Sequence, residues 1–368
     1  MSTRENNLSQ KHRYFMSLAF NQARKILGNT GSNPAVGCVI VKNDTLINLS
    51  HTNFKGRPHA EFIGLSKKKT NFKNSSLYST LEPCNHYGKT APCTDNIIKK
   101  SLKSVYYSKL DPDKRCFNKS KSILSKKKIR VVDYLCRKEG NDFYKDYFIK
   151  HRTKKVFITS KLATSKDYFI SKRNNDWITN SYSRGRVHLL RANHDAILTT
   201  SKTVLKDNPT LNCRIDGLEK FSPTRFILDK YLKIRPKSKI LNVSSKFKTY
   251  VFYNRPNFIK IRKLKKLNIN AVRIELKDNK LDFEKIVAFI RSKGFYRIFV
   301  EAGIVFNNYL LKNNYINEFY HFYSNYLLGK MGLNSGKSLL RKVNKLKKNK
   351  KKINVNLYED KLVKYLLK

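Results

Sequence analysis

The chain has 368 residues and a formal net charge of +52, because 78 lysine and arginine residues outnumber 26 acidic ones. This length suggests two domains of about 100–200 residues each. No apolar run approaches the roughly 18 residues of a transmembrane helix, which argues against a helical membrane protein, and the polar stretch 1–10 lacks the apolar region of a secretory signal. We therefore expect a cytoplasmic protein with no membrane partner.

The positive charge is spread along the chain rather than gathered in one segment. Lysine occurs from Lys11 to Lys368, together with abundant Asn, Ile, Tyr and Phe, as an AT-rich genome would produce. A nucleic-acid footprint would be clustered on one face or tail. We expect no specific nucleic-acid partner, although the charge attracts anions such as phosphorylated small molecules. The densest run, 341–352, is interpreted as a solvated face or loop.

The first half of the chain mixes helical and strand patterns. Apolar periodicity predicts helices over 14–27, 59–65, 94–100 and 141–150, and strands over 38–41, 46–49, 77–81, 105–108 and 129–132. A domain boundary is predicted near His151, which gives domains 1–150 and 151–368. The cysteines are scattered and do not resemble a disulfide framework. They are Cys38, Cys84, Cys93, Cys116, Cys136 and Cys213.

One imidazole, two thiols and one carboxylate form the most specific pattern in the chain. His59, Cys84 and Cys93 are three candidate zinc ligands. A hydrolytic zinc site has three protein ligands, and the metal lowers the pKa of a water in the fourth position. Glu61 lies two residues after His59 and is placed to move a proton from that water to a leaving amine. The pattern resembles the H-x-E and P-C-x-x-C signature of base deaminases, except that eight residues separate Cys84 from Cys93.

That wider cysteine spacing, with His, Gly and Lys inside it, resembles the deaminase half of the bifunctional riboflavin-biosynthesis deaminase/reductase family. The segment 33–42 is similar to the opening motif of the same family. The resemblance implies a cytidine-deaminase-like three-layer α-β-α sandwich. It also implies substrate contacts at Asn33, His51, His86, Lys89 and Asp111.

The second half reads as an α/β domain. Strands are predicted over 156–163, 196–200, 225–228, 249–252, 271–273 and 297–300, and helices over 184–191, 283–292 and 305–311. Ligands of such sheets bind at the carboxyl ends of the strands. Glu301-Ala302-Gly303 stands at one of these ends. A small turn that enters a helix suits the binding of a phosphate.

The order of these segments resembles the reductase half of the same family, whose fold is similar to dihydrofolate reductase. The resemblance implies an NADPH site formed by Ala163, Trp177, Thr203, Asp207, Gly303, Ile304, Val305, Phe306, Asn307, Asn308 and Tyr309. It implies substrate contacts at Asn175, Arg191, Leu211, Arg214 and Glu301. Arg191 and Arg214 are suited to clamp a ribose phosphate. Tyr168 stands where the family has glycine.

We therefore expect a two-domain zinc- and NADPH-dependent enzyme of riboflavin synthesis, which could form a homo-oligomer. It would deaminate the diaminohydroxyphosphoribosylaminopyrimidine and then reduce its ribosyl group to the ribitylamino product. Three alternatives remain at this stage. They are a deaminase whose reductase half has decayed, a nucleic-acid base deaminase, and a noncatalytic zinc-stabilised binding protein.

Overall fold

The computed structural model describes residues 3–88, 90–173 and 177–367 and divides into two compact units, Met1–Lys155 and Val156–Lys368. The sequence prediction placed the boundary after residue 150, but a helix, Lys145–Thr153, runs across that position. Among the described residues, no helix is long and apolar enough to cross a membrane.

The first unit contains a five-stranded sheet and helices that pack on it. Its strands are β1 (Gly37–Lys42), β2 (Thr45–His51), β3 (Ser76–Ser79), β4 (Ser104–Tyr107) and β5 (Arg130–Val132), in the order β2-β1-β3-β4-β5. Its helices are α1 (Thr3–Ile26), α2 (Ala60–Leu65), α3 (Cys93–Lys99), α4 (Ser120–Lys126), α5 (Arg137–Phe143) and α6 (Lys145–Thr153). Strand β1 is antiparallel to β2 and β3, whereas β3, β4 and β5 are parallel.

Helices cover both faces of this sheet. Consecutive residues of a strand point to opposite faces. A Cβ added at Gly37 would lie 1.8 Å from the main-chain oxygen of Ala19 in α1, whereas the next residue, Cys38, approaches Gly64 of α2. Helices α1 and α2 therefore lie on opposite sides of β1. This arrangement confirms the predicted three-layer α-β-α sandwich.

The described residues of the second unit form a nine-stranded sheet and two two-stranded sheets, thirteen strands in all. Its strands are β6 (Phe157–Thr164), β7 (Phe169–Lys172), β8 (Ala196–Thr200), β9 (Thr224–Leu228), β10 (Thr249–Tyr253), β11 (Asn270–Arg273), β12 (Leu276–Lys277), β13 (Lys280–Leu281), β14 (Arg297–Val300), β15 (Glu318–Tyr323), β16 (Gly332–Ser335), β17 (Asn349–Lys352) and β18 (Lys361–Leu366). Its helices are α7 (Ser181–Ala192), α8 (Ser201–Asp207), α9 (Lys239–Asn242), α10 (Phe258–Lys266), α11 (Phe283–Ser292), α12 (Ile304–Lys312) and α13 (Lys337–Leu346).

The order of the large sheet is β11-β10-β9-β8-β14-β6-β15-β18-β17, and all its pairings are parallel except those of β18 with β15 and β17. The parallel core confirms the predicted α/β class. Strands β8, β14 and β6 are neighbours, so their carboxyl ends meet at one edge of the sheet. That edge is where a parallel α/β sheet binds its ligands.

Three of the segments in which the structure differs from the sequence expectations, or refines them, concern single helices or a charged run. No helix was predicted over 201–207, where α8 begins because the Thr200 side chain accepts a hydrogen bond from the Thr203 amide. The helix predicted over 141–150 is two helices, which meet at Tyr144. The basic run 341–352 was expected to be a solvated face or loop; it lies on α13 and on the fully exposed edge strand β17, with residues 347 and 348 between them, and only Val343 of the run is buried.

Candidate active sites

Two helix starts bring the three candidate metal ligands together in the first unit. His59 is the residue immediately before α2, and Cys93 is the first residue of α3. Cys84 lies in the loop that follows β3 and accepts a hydrogen bond from the Cys93 main-chain amide at 3.3 Å. Helix N-termini carry partial positive charge, which favours a thiolate over a thiol.

The spacing of these ligand atoms suits a tetrahedral zinc ion. The Sγ atoms of Cys84 and Cys93 each lie 3.5 Å from Nδ1 of His59, and the three ligand atoms lie within 4.8 Å of one another. Zn–S bonds of about 2.3 Å and Zn–N bonds of about 2.0–2.1 Å give a tetrahedral S···N edge of about 3.5 Å. The described side chains could therefore hold zinc without rearrangement.

The electrostatics of the cluster also favour a cation. The hydrogen bond from Cys93, supported by His59, lowers the pKa of Cys84 to about 4. The contact with Cys84 and burial raise the pKa of Cys93, because a second thiolate beside the first is unfavourable. Burial also raises the pKa of Glu61. A divalent ion would supply the positive charge that two thiolates and a carboxylate need in a buried place.

Glu61 is held beside the ligands and is only 3% exposed. Its Oε1 accepts a hydrogen bond from the Ser79 hydroxyl at 3.0 Å, and its Oε2 accepts one from the Cys93 thiol at 3.6 Å. Ser79 is the last residue of β3. The strand therefore orients the carboxylate, and its second oxygen points at the metal cluster.

The structure places the predicted substrate residues of this unit in separate segments, with His51 at the end of β2 and the other described ones in loops. Asn33 donates to the Gly56 carbonyl at 2.8 Å, and His51 donates through Nδ1 to the Thr52 carbonyl at 2.9 Å. Nδ1 of His86 is buried and has no hydrogen-bond partner among the described residues, which is the situation of a group that a ligand would satisfy. Lys89 lies outside the described residues.

Asp111 is organised by a glutamate that the sequence analysis did not single out. The carboxylate of Glu82 accepts hydrogen bonds from the amides of Asp111, Asn118, Lys119 and Ser120 and from the Ser120 hydroxyl. Burial raises the pKa of Asp111 to about 7. Glu82 precedes Pro83-Cys84 in the sequence, and that position was its only signal.

A charged cluster lies at the carboxyl edge of the second sheet. Glu301 follows β14 and receives two hydrogen bonds from Arg191 of α7, Nε to Oε1 at 2.6 Å and Nη2 to Oε2 at 3.1 Å. Lys161 of β6 lies 3.5 Å from the same carboxylate. Burial alone would raise the pKa of Glu301, but the positive charges of Arg191 and Lys161 hold this pKa at about 2.

The two arginines that were predicted to clamp a phosphate differ in their surroundings. Arg191 is engaged with Glu301, and its Nη1 donates to the Asn212 carbonyl at 3.0 Å. Arg214 is exposed and donates to the Thr210 hydroxyl at 2.7 Å. Leu211 is buried. Arg214 is therefore the more accessible guanidinium, whereas Arg191 is bound to Glu301 and to the loop that contains Asn212. Asn175 lies outside the described residues.

The predicted cofactor residues include an open helix N-terminus. Gly303 precedes α12, and a Cβ added there would meet no described heavy atom within 4 Å. Val305 is 75% exposed, so the first turn of α12 is accessible. Asn307 is buried and donates to the carbonyls of Ala302 and Gly303, which fixes the turn. An open N-terminus of this kind fits a phosphate of NADPH.

The other predicted cofactor residues lie on β6, on α8 and along α12. Trp177 is 73% exposed, and the guanidinium of Arg184 lies 5.1 Å from its ring centre. Ala163 is on β6, whereas Thr203 and Asp207 are on α8, and burial raises the pKa of Asp207. The remaining members, Ile304, Phe306, Asn308 and Tyr309, belong to α12.

Comparison with known proteins gives a match for each half. Residues 156–356 match the RibD C-terminal domain, and residues 9–109 match the cytidine and deoxycytidylate deaminase zinc-binding region. The riboflavin biosynthesis protein RibD of Aquifex aeolicus is 32% identical over 348 residues, which cover 94% of this chain and 96% of that protein. The RibD protein of Bacillus amyloliquefaciens is 29% identical over 319 residues, covering 86% of this chain and 85% of that protein.

Solved structures give the same result. The structure of a diaminohydroxyphosphoribosylaminopyrimidine deaminase/5-amino-6-(5-phosphoribosylamino)uracil reductase from Thermotoga maritima superposes with a TM-score of 0.81 and 28% identity, covering 98% of this chain and 99% of that chain. The structure of Acinetobacter baumannii RibD, at 24% identity, superposes with a TM-score of 0.80 and the same coverage. The latter supports the fold.

Proposed function

Because this chain belongs to the RibD family of bifunctional, zinc- and NADPH-dependent deaminase/reductases of riboflavin biosynthesis, we propose that His59, Cys84 and Cys93 bind its zinc and that Glu61 transfers the proton. The observation that carries this proposal is the 3.5 Å separation of both thiol sulfurs from Nδ1 of His59. The buried carboxylate of Glu61 lies directly beside them.

The deaminase substrate is proposed to be the diaminohydroxyphosphoribosylaminopyrimidine named for the Thermotoga maritima relative. Zinc, when bound, lowers the pKa of the attacking water. Glu61 takes a proton from that water and delivers it to the leaving amine, so that a C–O bond forms, the C–N bond breaks and ammonia leaves. Burial raises the pKa of Glu61, which makes its carboxylate a better proton acceptor near neutral pH.

The second unit is proposed to reduce the ribosyl group of the deaminated product. NADPH, when bound, supplies the hydride. The accessible first turn of α12 after Gly303, together with Trp177, Thr203 and Asp207, is proposed to hold the cofactor. Arg214 would bind the ribose phosphate as a charge-assisted hydrogen-bond donor. Glu301 would remain ionised at the substrate, since Arg191 and Lys161 keep its pKa near 2.

We further propose a cytoplasmic enzyme that can form a homo-oligomer and has no specific nucleic-acid partner. The spread of the positive charge over the whole chain supports the last point. RNA binding should then be weak and should fall steeply between about 50 and 200 mM salt. A gel-shift titration over that range measures it. Tight binding that depends on RNA sequence would contradict this proposal.

Replacement of Glu61 by glutamine tests the deaminase proposal. The amide keeps the shape of the side chain but cannot take a proton, so Glu61→Gln should abolish ammonia release while the chain still binds one zinc ion. The matched control is Asp142→Asn, which removes an exposed carboxylate of the same unit and should leave ammonia release unchanged. Full ammonia release by Glu61→Gln, or loss of its zinc, would refute the role given to Glu61.

A further inference from the structure

The loop 210–214 of the second unit has no regular secondary structure, and side chains from elsewhere hold its main chain. The Thr210 carbonyl accepts from Arg225 at 3.1 Å, and the Asn212 carbonyl accepts from Arg191 at 3.0 Å. The Cys213 amide donates to Ser222 at 3.0 Å. The amide of Arg214 donates to His188 Nδ1 at 3.1 Å. The position of Arg214 therefore depends on its contact with His188.

His188 lies on α7, one turn before Arg191, and its Nδ1 faces the loop. Besides the Arg214 amide, Nδ1 lies 3.4 Å from Nη1 of Arg191 and 3.1 Å from the Asn212 carbonyl. That carbonyl already accepts a hydrogen bond from Arg191. Because two N–H donors point to Nδ1, this atom carries a lone pair, and the proton of the neutral imidazole is on Nε2.

The charges around His188 keep it neutral. Burial, followed by the positive charges of Arg191 and Arg214, lowers its pKa to about 4, while the Asn212 carbonyl and Glu301 act in the opposite direction. A protonated ring would lose the hydrogen bond from the Arg214 amide and would place three cations together. The hydrogen bond is therefore present throughout the neutral pH range.

We propose that His188 is a positioning residue of the reductase: its Nδ1 fixes the main chain of Arg214, so that the Arg214 guanidinium is presented to the ribose phosphate of the substrate. The inference rests on the proposed function through the role given to Arg214. His188 itself touches neither the substrate nor the cofactor. It acts as an acceptor of fixed position.

Two substitutions at residue 188 separate the acceptor from the volume of the ring. His188→Asn keeps an acceptor near the place of Nδ1, whereas His188→Leu has a similar branched shape without one. The net worth of one such hydrogen bond is about 0.5–1.5 kcal/mol, which corresponds to roughly a two- to tenfold change in affinity. His188→Leu should weaken ribose 5-phosphate binding and raise the KM of the deaminated substrate by about that factor, with kcat nearly unchanged. His188→Asn should stay within about twofold of the wild type.

A double-substitution cycle with Arg214→Ala tests whether His188 acts through Arg214. Without the guanidinium, His188→Leu should have little additional effect on ribose 5-phosphate binding, because the two changes remove the same interaction. Additive losses would overturn the proposal and indicate general damage to the fold. Ammonia release by the first unit of each variant serves as the internal control for intact protein and should not change.

Calorimetric binding of ribose 5-phosphate distinguishes this inference from the proposed function. If the wild type binds the phosphate, and His188→Leu and His188→Asn differ as stated, the inference holds even when NADPH oxidation is absent, and only the reductase assignment fails. If the wild type does not bind ribose 5-phosphate, or if His188→Leu binds as well as the wild type, the inference is wrong.

Discussion

Replacement of Glu301 by glutamine should destabilise the second unit strongly. Arg191 donates two hydrogen bonds to Glu301, which are 2.6 and 3.1 Å long. The substitution leaves the buried Arg191 guanidinium opposite a neutral amide in place of a carboxylate. A pKa of about 2 against the ordinary 4.5 corresponds to about 3 kcal/mol, at about 1.4 kcal/mol for each pKa unit. Breaking a buried ion pair from one side has a similar cost, about 3–5 kcal/mol.

The sign of the pH dependence follows from the lowered pKa. The folded state favours the ionised form, so its stabilising contribution is present above pH 4.5 and is lost as the pH falls towards 2. The difference in free energy of unfolding between the wild type and Glu301→Gln should therefore be about 3 kcal/mol at pH 7 and should shrink below about pH 4.5. Urea unfolding, monitored through the hydrogen exchange of peptides from the large sheet, measures this difference.

A matched control is Glu275→Gln, which removes the partner of Lys285. The Glu275 side chain is 76% exposed, and exposed ion pairs contribute little to stability, so this variant should unfold like the wild type. A loss of less than about 1 kcal/mol in Glu301→Gln, or an equal loss in both variants, would refute the reasoning about the buried cluster.

Three further changes test the packing, the backbone and a buried carboxyl group. Gly37→Ala should cost about 3 kcal/mol or more, measured by thermal unfolding, since the added Cβ would lie 1.8 Å from the Ala19 carbonyl oxygen; an unchanged midpoint would contradict the contact between α1 and β1. Tyr168→Gly should raise the free energy of unfolding by up to about 1 kcal/mol, because Tyr168 has a φ of 72°; a lower stability would mean that the Tyr168 ring contributes more than the strain costs. Asp111→Asn should remove a pH dependence of the stability of the first unit. The raised pKa of about 7 means that this site stabilises the first unit below the ordinary pKa of 3.8 and loses that contribution as the pH rises through 7, so the variant should be the more stable chain at about pH 8 but not at about pH 4.

The candidate metal-binding cluster could be predicted from the sequence because its residue types and their spacing are local properties of two short segments. His59 and Glu61 are two residues apart, and both cysteines belong to one loop and the helix start that follows it. The helix over 283–292 and the strands over 196–200 and 297–300 also have the predicted bounds, since an apolar pattern of helical spacing marks the helix and a short, largely apolar run marks each strand.

The residues that position the sites could not be predicted in the same way. Glu82 meets the loop 111–120, and His188 meets Arg214, 26 residues later in the chain. Such contacts depend on how the strands are ordered, which no short motif reports. Strand β15 was not predicted either, although it lies inside the large sheet, because its aromatic residues are buried on both faces and hide the alternation.

The positive φ of Tyr168 is a backbone feature that this sequence alone does not indicate. The resemblance marked residue 168 as a glycine position of the family. The structure gives the local reason for glycine: Tyr168 closes the turn between β6 and β7 through a hydrogen bond from its amide to the Ser165 carbonyl at 3.0 Å, in a left-handed conformation. The backbone requirement is local, but only the family pattern pointed to it.

The most direct test of the account is a paired stoichiometry in one reaction. The zinc-loaded chain is supplied with the diaminohydroxyphosphoribosylaminopyrimidine and NADPH. Ammonia release and NADPH oxidation are then measured in the same reaction. The account predicts one NADPH oxidised for each ammonia released, with ammonia appearing first. Ammonia without NADPH oxidation would leave a deaminase alone and contradict the assignment of the second unit, and the absence of both signals from folded, zinc-loaded protein would contradict the account as a whole.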